Sequence, residues 1–204
     1  MKWLLSALCA CVLFAGQARA QPSGADEVGG ELIDSFLDLC LARFPDQAAF
    51  AAGARLRHLV PMPPEQVKRF LHEDPGRGWW GTTPSGRFVV TIENPPYFAC
   101  AVRRLYKLTQ AFQTTYQLAI GIWAANHKIA LQAVPTMRRE ENGMSISATA
   151  QSEFGPDGKV RQTLMMFVTD YPSGRTEVRL VRQFPILAMG HFNLVVVYVL
   201  DFRK

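Results

Sequence analysis

The side chains able to bind a metal or move a proton are scattered along this sequence. The histidines stand at His58, His72, His127 and His191, and no two share the i, i+4 spacing that sets a ligand pair on one helix face. His72-Glu73-Asp74 places three ligand types in a row. Consecutive residues on a helix point in different directions, so the run reads as a polar helix end. His127 closes a long uncharged stretch and reads as the end of a helix, where positive charge complements the dipole. Gly-x-Ser-x-Gly is absent, and Pro84-Ser85-Gly86 and Pro172-Ser173-Gly174 are turn chemistry. Glu93 and Asp170 fall near expected strand ends, where either carboxylate offers a general base if a pocket encloses it. Otherwise they are solvated strand-end charges. The sequence therefore names no catalytic residue, no metal ligands and no cofactor. It leans away from an enzyme and leaves open a small pocket enzyme using a lone acid or histidine.

Binding chemistry is better represented. Gly76-Arg77-Gly78-Trp79-Trp80-Gly81 reads as a loop in which Arg77, Trp79 and Trp80 offer a cation and flat aromatic faces to a ligand or partner. The alternative is a tryptophan that caps the core while the glycines allow the turn. The glycines do not make a phosphate loop, because two tryptophans fill the space a phosphate needs. Arg103, Arg104 and Lys107 form a short basic cluster for an anionic lipid or acidic partner. Arg138-Arg139-Glu140-Glu141 cancels its own charge and reads as a solvated hairpin.

The compartment comes from the first twenty residues. Met1-Lys2 is a short positive start, an apolar run extends to Ala15, and Ala18-Arg19-Ala20 places small residues before Gln21. This is the pattern of a cleaved secretory signal peptide over residues 1–20. The alternative is a lipoprotein anchored through Cys11, since Leu8-Cys9-Ala10-Cys11 sets a small residue before a cysteine. The expected home is periplasmic or secreted. Without Lys2 and Arg19, the 22 basic residues fall to 20 against 17 acidic, a net charge of +3 in place of +5. That is too little for a nucleic-acid-binding face. Cys40 and Cys100 remain, and an oxidising compartment favours a disulfide between them over two buried thiols.

These residues need elements to hold them. Residues 21–30 read as a flexible leader, and 31–204 as a single domain. A helix is expected over 31–44, with Leu32, Phe36, Leu39 and Cys40 on its buried stripe. Asp46 caps a second helix, and Pro64 opens a third over 65–72. Strands at 88–93 and 97–106 form a hairpin. A long, largely buried helix fills 107–128, with Leu108, Phe112, Leu118, Ile122 and Trp123 on its apolar face. Its polar residues argue against a membrane span. Strands follow at 145–154, 160–170 and 177–184, the first entered by an Asn142-Gly143 turn. A last apolar strand at 194–200 is too short to cross a bilayer. The class is α+β: N-terminal helices, a β-hairpin, one long buried helix, then an antiparallel β-meander. The order resembles the nuclear-transport-factor-like cone, in which a curved sheet wraps a helix around a pocket. A plain helix-on-sheet sandwich is the alternative.

Three stretches carry a second resemblance: Leu39-Cys40-Leu41-Ala42-Arg43-Phe44-Pro45, Gly78-Trp79-Trp80-Gly81 and Tyr97-Phe98-Ala99-Cys100-Ala101-Val102-Arg103-Arg104. They resemble segments of a family of small exported proteins and lipoproteins of Gram-negative bacteria that has no assigned activity. The resemblance implies an envelope location and carries no catalytic roles. The expected function is binding of a protein partner or a small apolar ligand, with a structural envelope role as a further alternative.

Overall fold

A helix starts the chain earlier than its sequence suggests. The computed structural model describes residues 24–95 and 97–185. The signal peptide with Cys9 and Cys11, His191 and the apolar stretch 194–200 lie outside the described residues. Helix α1 runs Gly24–Phe36, so most of the expected leader is helical. At Leu37–Leu41 it widens into a π turn, closed by Ala42 N–H donating to the Leu37 carbonyl at 2.9 Å. The widened turn lets Leu39, Cys40 and Leu41 all be buried in succession, which a regular 3.6-residue turn does not do. Helix α2 covers Gln47–Leu56, and the Asp46 carboxylate accepts from the Ala48 and Ala49 N–H groups. Helix α3 covers Pro64–Leu71 with proline in its first turn.

Eight antiparallel strands form one sheet in the order β1-β2-β3-β4-β8-β7-β6-β5. They are β1 (Val60–Pro61), β2 (Gly76–Thr83), β3 (Gly86–Glu93), β4 (Ala99–Leu105), β5 (Leu131–Glu141), β6 (Met144–Phe154), β7 (Val160–Asp170) and β8 (Thr176–Gln183). The expected hairpin is β3–β4, and the meander is β5 to β8. Asn142 and Gly143 turn β5 into β6 with φ of 50° and 75°, the left-handed pair that a tight hairpin turn requires.

The glycine-rich tryptophan segment is strand β2, not a loop. It pairs with β3 over its whole length. Its glycines serve close approach rather than turning. A Cβ on Gly81 would lie 2.1 Å from the Phe88 ring, and one on Gly78 would lie 2.9 Å from Met62 Sδ.

Helix α4 (Gln110–Asn126) links the hairpin to the meander, with the Thr109 hydroxyl accepting from Phe112 N–H. It buries Phe112, Tyr116, Ile120, Trp123 and Ala124. It is buried along one side only: Leu118 is 62% and Ile122 53% exposed. The expected apolar face is thus rotated, because Leu118 and Ile122 put apolar residues on the far side of the helix as well and periodicity alone does not choose between the two. No helix among the described residues is long and apolar enough to cross a membrane.

Alternation along the strands gives the sheet two faces. On the first, Val90, Val102, Val178, Leu180 and Leu164 join α1, the π turn, α2 and α4 in the main core. Cys40 of the π turn is bonded to Cys100 of β4 across that core. On the second face, α3 packs over β2 and β3 through Val67 and Leu71.

Candidate binding face

Arg182 and Arg103 are the buried cations from which the two faces are best understood. In β8, Arg182 alternates in phase with Val178 and Leu180, so its side chain enters the main core. It is 8% exposed. Its Nη1 donates to the carbonyls of Cys40, Leu41 and Phe44 at 3.1, 2.8 and 2.7 Å. Its Nε donates to Gln162 at 2.7 Å, and Gln162 donates on to Glu153 at 2.6 Å. The guanidinium also lies over the Trp123 and Phe184 rings. Burial lowers its pKa to about 10, and Glu153 opposes that shift. This cation ends the π turn by filling carbonyl positions that no helical N–H can reach.

Arg103 sits on the second face and is served differently. It is 6% exposed. In β4 it alternates with Ala99 and Ala101, and the strand register puts Arg179 of β8 directly opposite it. Like charges directly opposed across a ladder are destabilising. Among the described residues its guanidinium makes one long hydrogen bond, 3.4 Å to the Thr91 hydroxyl, and its buried Nε–H has no acceptor. Its guanidinium carbon lies 5.2 Å from the Phe70 ring, and that of Arg179 lies 4.4 Å from the Phe167 ring. Burial lowers the Arg103 pKa to about 10, Arg179 pushes the same way, and Glu177 and Glu93 push back. Beside the arginines, Ala99, Ala101, Met165, Phe167 and Val181 form a buried apolar cluster, with Ile146, Ala148 and Ala150 packed on it. The face thus joins a buried apolar cluster to two arginines opposed on paired strands, one of them with an unsatisfied Nε–H. That arrangement suits an apolar stretch ending in an anionic group.

The residues singled out in the sequence do not make one site. Trp79 and Trp80 are neighbours on a strand and point to opposite faces. Trp79 packs on Phe50 at 5.0 Å, and Trp80 packs on Phe70 at 5.8 Å and donates to Gln66 at 3.1 Å. Arg77 is exposed and donates to Gln47 at 3.0 Å. Both tryptophans are half-buried, Trp79 packed against the main core and Trp80 against the α3 layer. The basic cluster is divided in the same way. Arg104 turns to the first face, where it meets Glu31 at 3.4 Å and the Ser85 hydroxyl at 2.9 Å, while Arg103 turns to the second.

Glu93 and Asp170 stand at opposite ends of the sheet, since Glu93 pairs with Ala99 and Asp170 with Thr176. Asp170 accepts from the Thr176 hydroxyl at 2.6 Å. They form no acid–base pair. His127 ends α4 as expected, its Nδ1 2.8 Å from the Trp123 carbonyl. Arg138 and Arg139 face Glu140 and Glu141 at 3.8 and 3.0 Å. Among the described residues, no group of three or more His, Cys, Asp or Glu side chains is placed to hold a metal.

Sequence reading missed Arg179 and Arg182. For Arg182 a signal existed, a cation in phase with inward-facing Val178 and Leu180. For Arg179 the meaning lies in its partner, and register with β4 is not written in either strand.

No known protein family matches the chain, and no curated protein matches it. A solved structure, the solution structure of cyanobacterial PsbP (CyanoP) from Synechocystis sp. PCC 6803, is similar over 48% of this chain at 12% identity and a TM-score of 0.32. The match spans 61% of that protein, and a likeness this slight carries no argument about fold or function.

Proposed function

We propose that this chain is an exported cell-envelope domain whose work is binding, and that its binding surface is the second face of the sheet. The ligand class is an apolar chain that carries an anionic group. One observation carries the reading: Arg103, buried and with a free Nε–H, is set directly across from Arg179 at the edge of an apolar cluster. Two guanidiniums directly opposed across a strand ladder cost stability, with Glu177 and Glu93 acting in the other direction. A site that recovers that cost on binding explains why they are kept. The signal-peptide pattern and the Cys40–Cys100 bond support export.

The test is a fluorescence titration of the mature chain with a dansylated undecanoate, against the matching alcohol as a neutral control. Saturable binding that prefers the carboxylate, and that weakens at least tenfold in Arg179→Glu, is expected. Carboxylate and alcohol binding alike, or an unaffected Arg179→Glu variant, would remove the reading. Export is tested separately by the intact mass of the envelope fraction, where a start at Gln21 without added lipid is expected.

A further inference from the structure

Helix α4 has a second apolar side that the fold leaves unused. Phe112, Tyr116, Ile120 and Trp123 face the core. At 3.6 residues per turn, Ala111, Thr115, Leu118, Ile122 and Ala125 fall in one narrow stripe on the opposite side. All five are exposed, Leu118 at 62% and Ile122 at 53%. Beside them, a Cβ added to Gly121 would meet nothing within 4 Å. The stripe advances by 4, 3, 4 and 3 residues. That is the narrow seam by which one helix seats against another, rather than the broader stripe that covers a core.

Two features of the stripe fit it to a second copy of itself. The first is its order: alanine, a β-branched residue, leucine, a β-branched residue, alanine. Turned end for end, the stripe sets Ala111 against Ala125, Thr115 against Ile122 and Leu118 against Leu118. A two-fold interface imposes this condition, because each contact between two positions is repeated by symmetry. The second is charge. Gln110–Asn126 contains no Asp, Glu, Lys or Arg, in a chain where 19% of residues are charged. Like charges brought together across an interface repel, so a helix that meets its own copy gains from neutrality, and a helix that meets another sequence has no such need. Lys107 and Lys128 lie beyond the two ends of the stripe, where crossed helices diverge. A bilayer surface would instead call for a basic polar face on this helix.

We propose that α4 is the contact helix of a two-fold homodimer, in which the outer stripes of two α4 helices pack antiparallel about Leu118. Five side chains from each copy are far fewer than the roughly 20–30 residues a side of a stable interface, so the dimer is weak and forms with rising concentration. The proposal does not depend on the binding reading above. Helix α4 covers the first face of the sheet, and the Arg103–Arg179 pair belongs to the second, so the dimer leaves the second face of each copy turned outward.

The experiment uses the full mature chain. Sedimentation equilibrium between about 10 μM and about 1 mM is expected to show an average mass that rises from one chain towards two. The double variant Leu118→Glu/Ile122→Glu is expected to raise the dissociation constant at least tenfold. Its melting temperature in dilute solution should match that of the parent, since both side chains are exposed in the single chain. Cysteine cross-linking under mild oxidation reads the register, and Cys40 and Cys100 do not compete because they are bonded to each other. Leu118→Cys is expected to link to its own copy. Ala111→Cys alone is expected not to link, and a mixture of Ala111→Cys and Ala125→Cys chains to link. A mass of one chain over the whole range overturns the dimer. A dimer unchanged in Leu118→Glu/Ile122→Glu overturns the assignment to α4, and efficient linking of Ala111→Cys to itself overturns the antiparallel arrangement. Dansylated undecanoate should bind the parent and Leu118→Glu/Ile122→Glu equally, and its failure to bind either removes the binding reading while the dimer stands.

Discussion

Arg182 and Arg103 lie on neighbouring antiparallel strands, both buried, both with pKa lowered to about 10 by desolvation. What surrounds them differs. Arg182 has three backbone carbonyls, a glutamine and two aromatic rings. Arg103 has one distant hydroxyl, one ring and a second arginine, with Glu177 and Glu93 acting on it electrostatically. The first is a clamp. Its donors are used, and the groups it holds would be orphaned without it. The second is incompletely bonded, since its Nε–H has no acceptor and Arg179 stands directly opposite, with Glu177 and Glu93 opposing that repulsion. A buried cation is thus evidence of structure or of recognition according to whether its hydrogen bonds are complete.

The comparison can be broken or sharpened by experiment. The largest effect should come from the first face, where the Cys40–Cys100 bond closes a sixty-residue separation. Replacing both cysteines with serine should cost about 4 kcal/mol on loop entropy, read as a lower denaturation midpoint than that of the oxidised parent. Next, Arg182→Met should cost about 3 kcal/mol, because three buried carbonyls lose their donor at once. Trp79→Ala should cost about 2 kcal/mol by unpacking Phe50 from β2, with probe binding on the second face unchanged. If Trp79→Ala abolishes binding at intact stability, the tryptophan strand is a site after all.

A smaller effect is expected from pH. Burial opposes ionisation of Asp38, but hydrogen bonds from Arg57 and Arg43 outweigh it and hold the carboxyl below its ordinary value of 3.8. A depressed carboxyl pKa contributes stability that is present above the unfolded value and lost as pH falls through the folded one. The advantage of the parent over Asp38→Asn should therefore be full above pH about 5 and fade below about 4. The smallest stability change is expected for Arg103→Met, near zero or stabilising, since an incompletely bonded buried charge is exchanged for an apolar side chain of similar length. Equal losses for Arg182→Met and Arg103→Met in urea titrations would erase the distinction between clamp and site.

Local patterns make much of the fold legible in the amino-acid sequence. Asp46 and Pro64 mark helix starts because capping and proline geometry act within one turn. Asn142-Gly143 marks a hairpin because only such residues take two left-handed conformations in succession. Strand β2 is not legible in this way. Its glycines look like turn residues until Phe88 and Met62 are seen to occupy the space their side chains would fill. The exposed side of α4 is hidden for a related reason: a helix with apolar residues on two sides does not say which of them will meet a neighbour.

The sequence by itself determined the α+β order, the position of the caps and turns, and two cysteines fit to pair. These follow from backbone preferences and periodicity, which are properties of adjacent residues. The tertiary structure alone decided that Trp79 and Trp80 belong to opposite layers, that Arg103 and Arg104 serve different faces, and that Arg103 stands across from Arg179. Positions 103 and 179 are far apart in the chain, and nothing local to either fixes their register. Only the packing of the whole sheet does so, and the candidate site exists because of it.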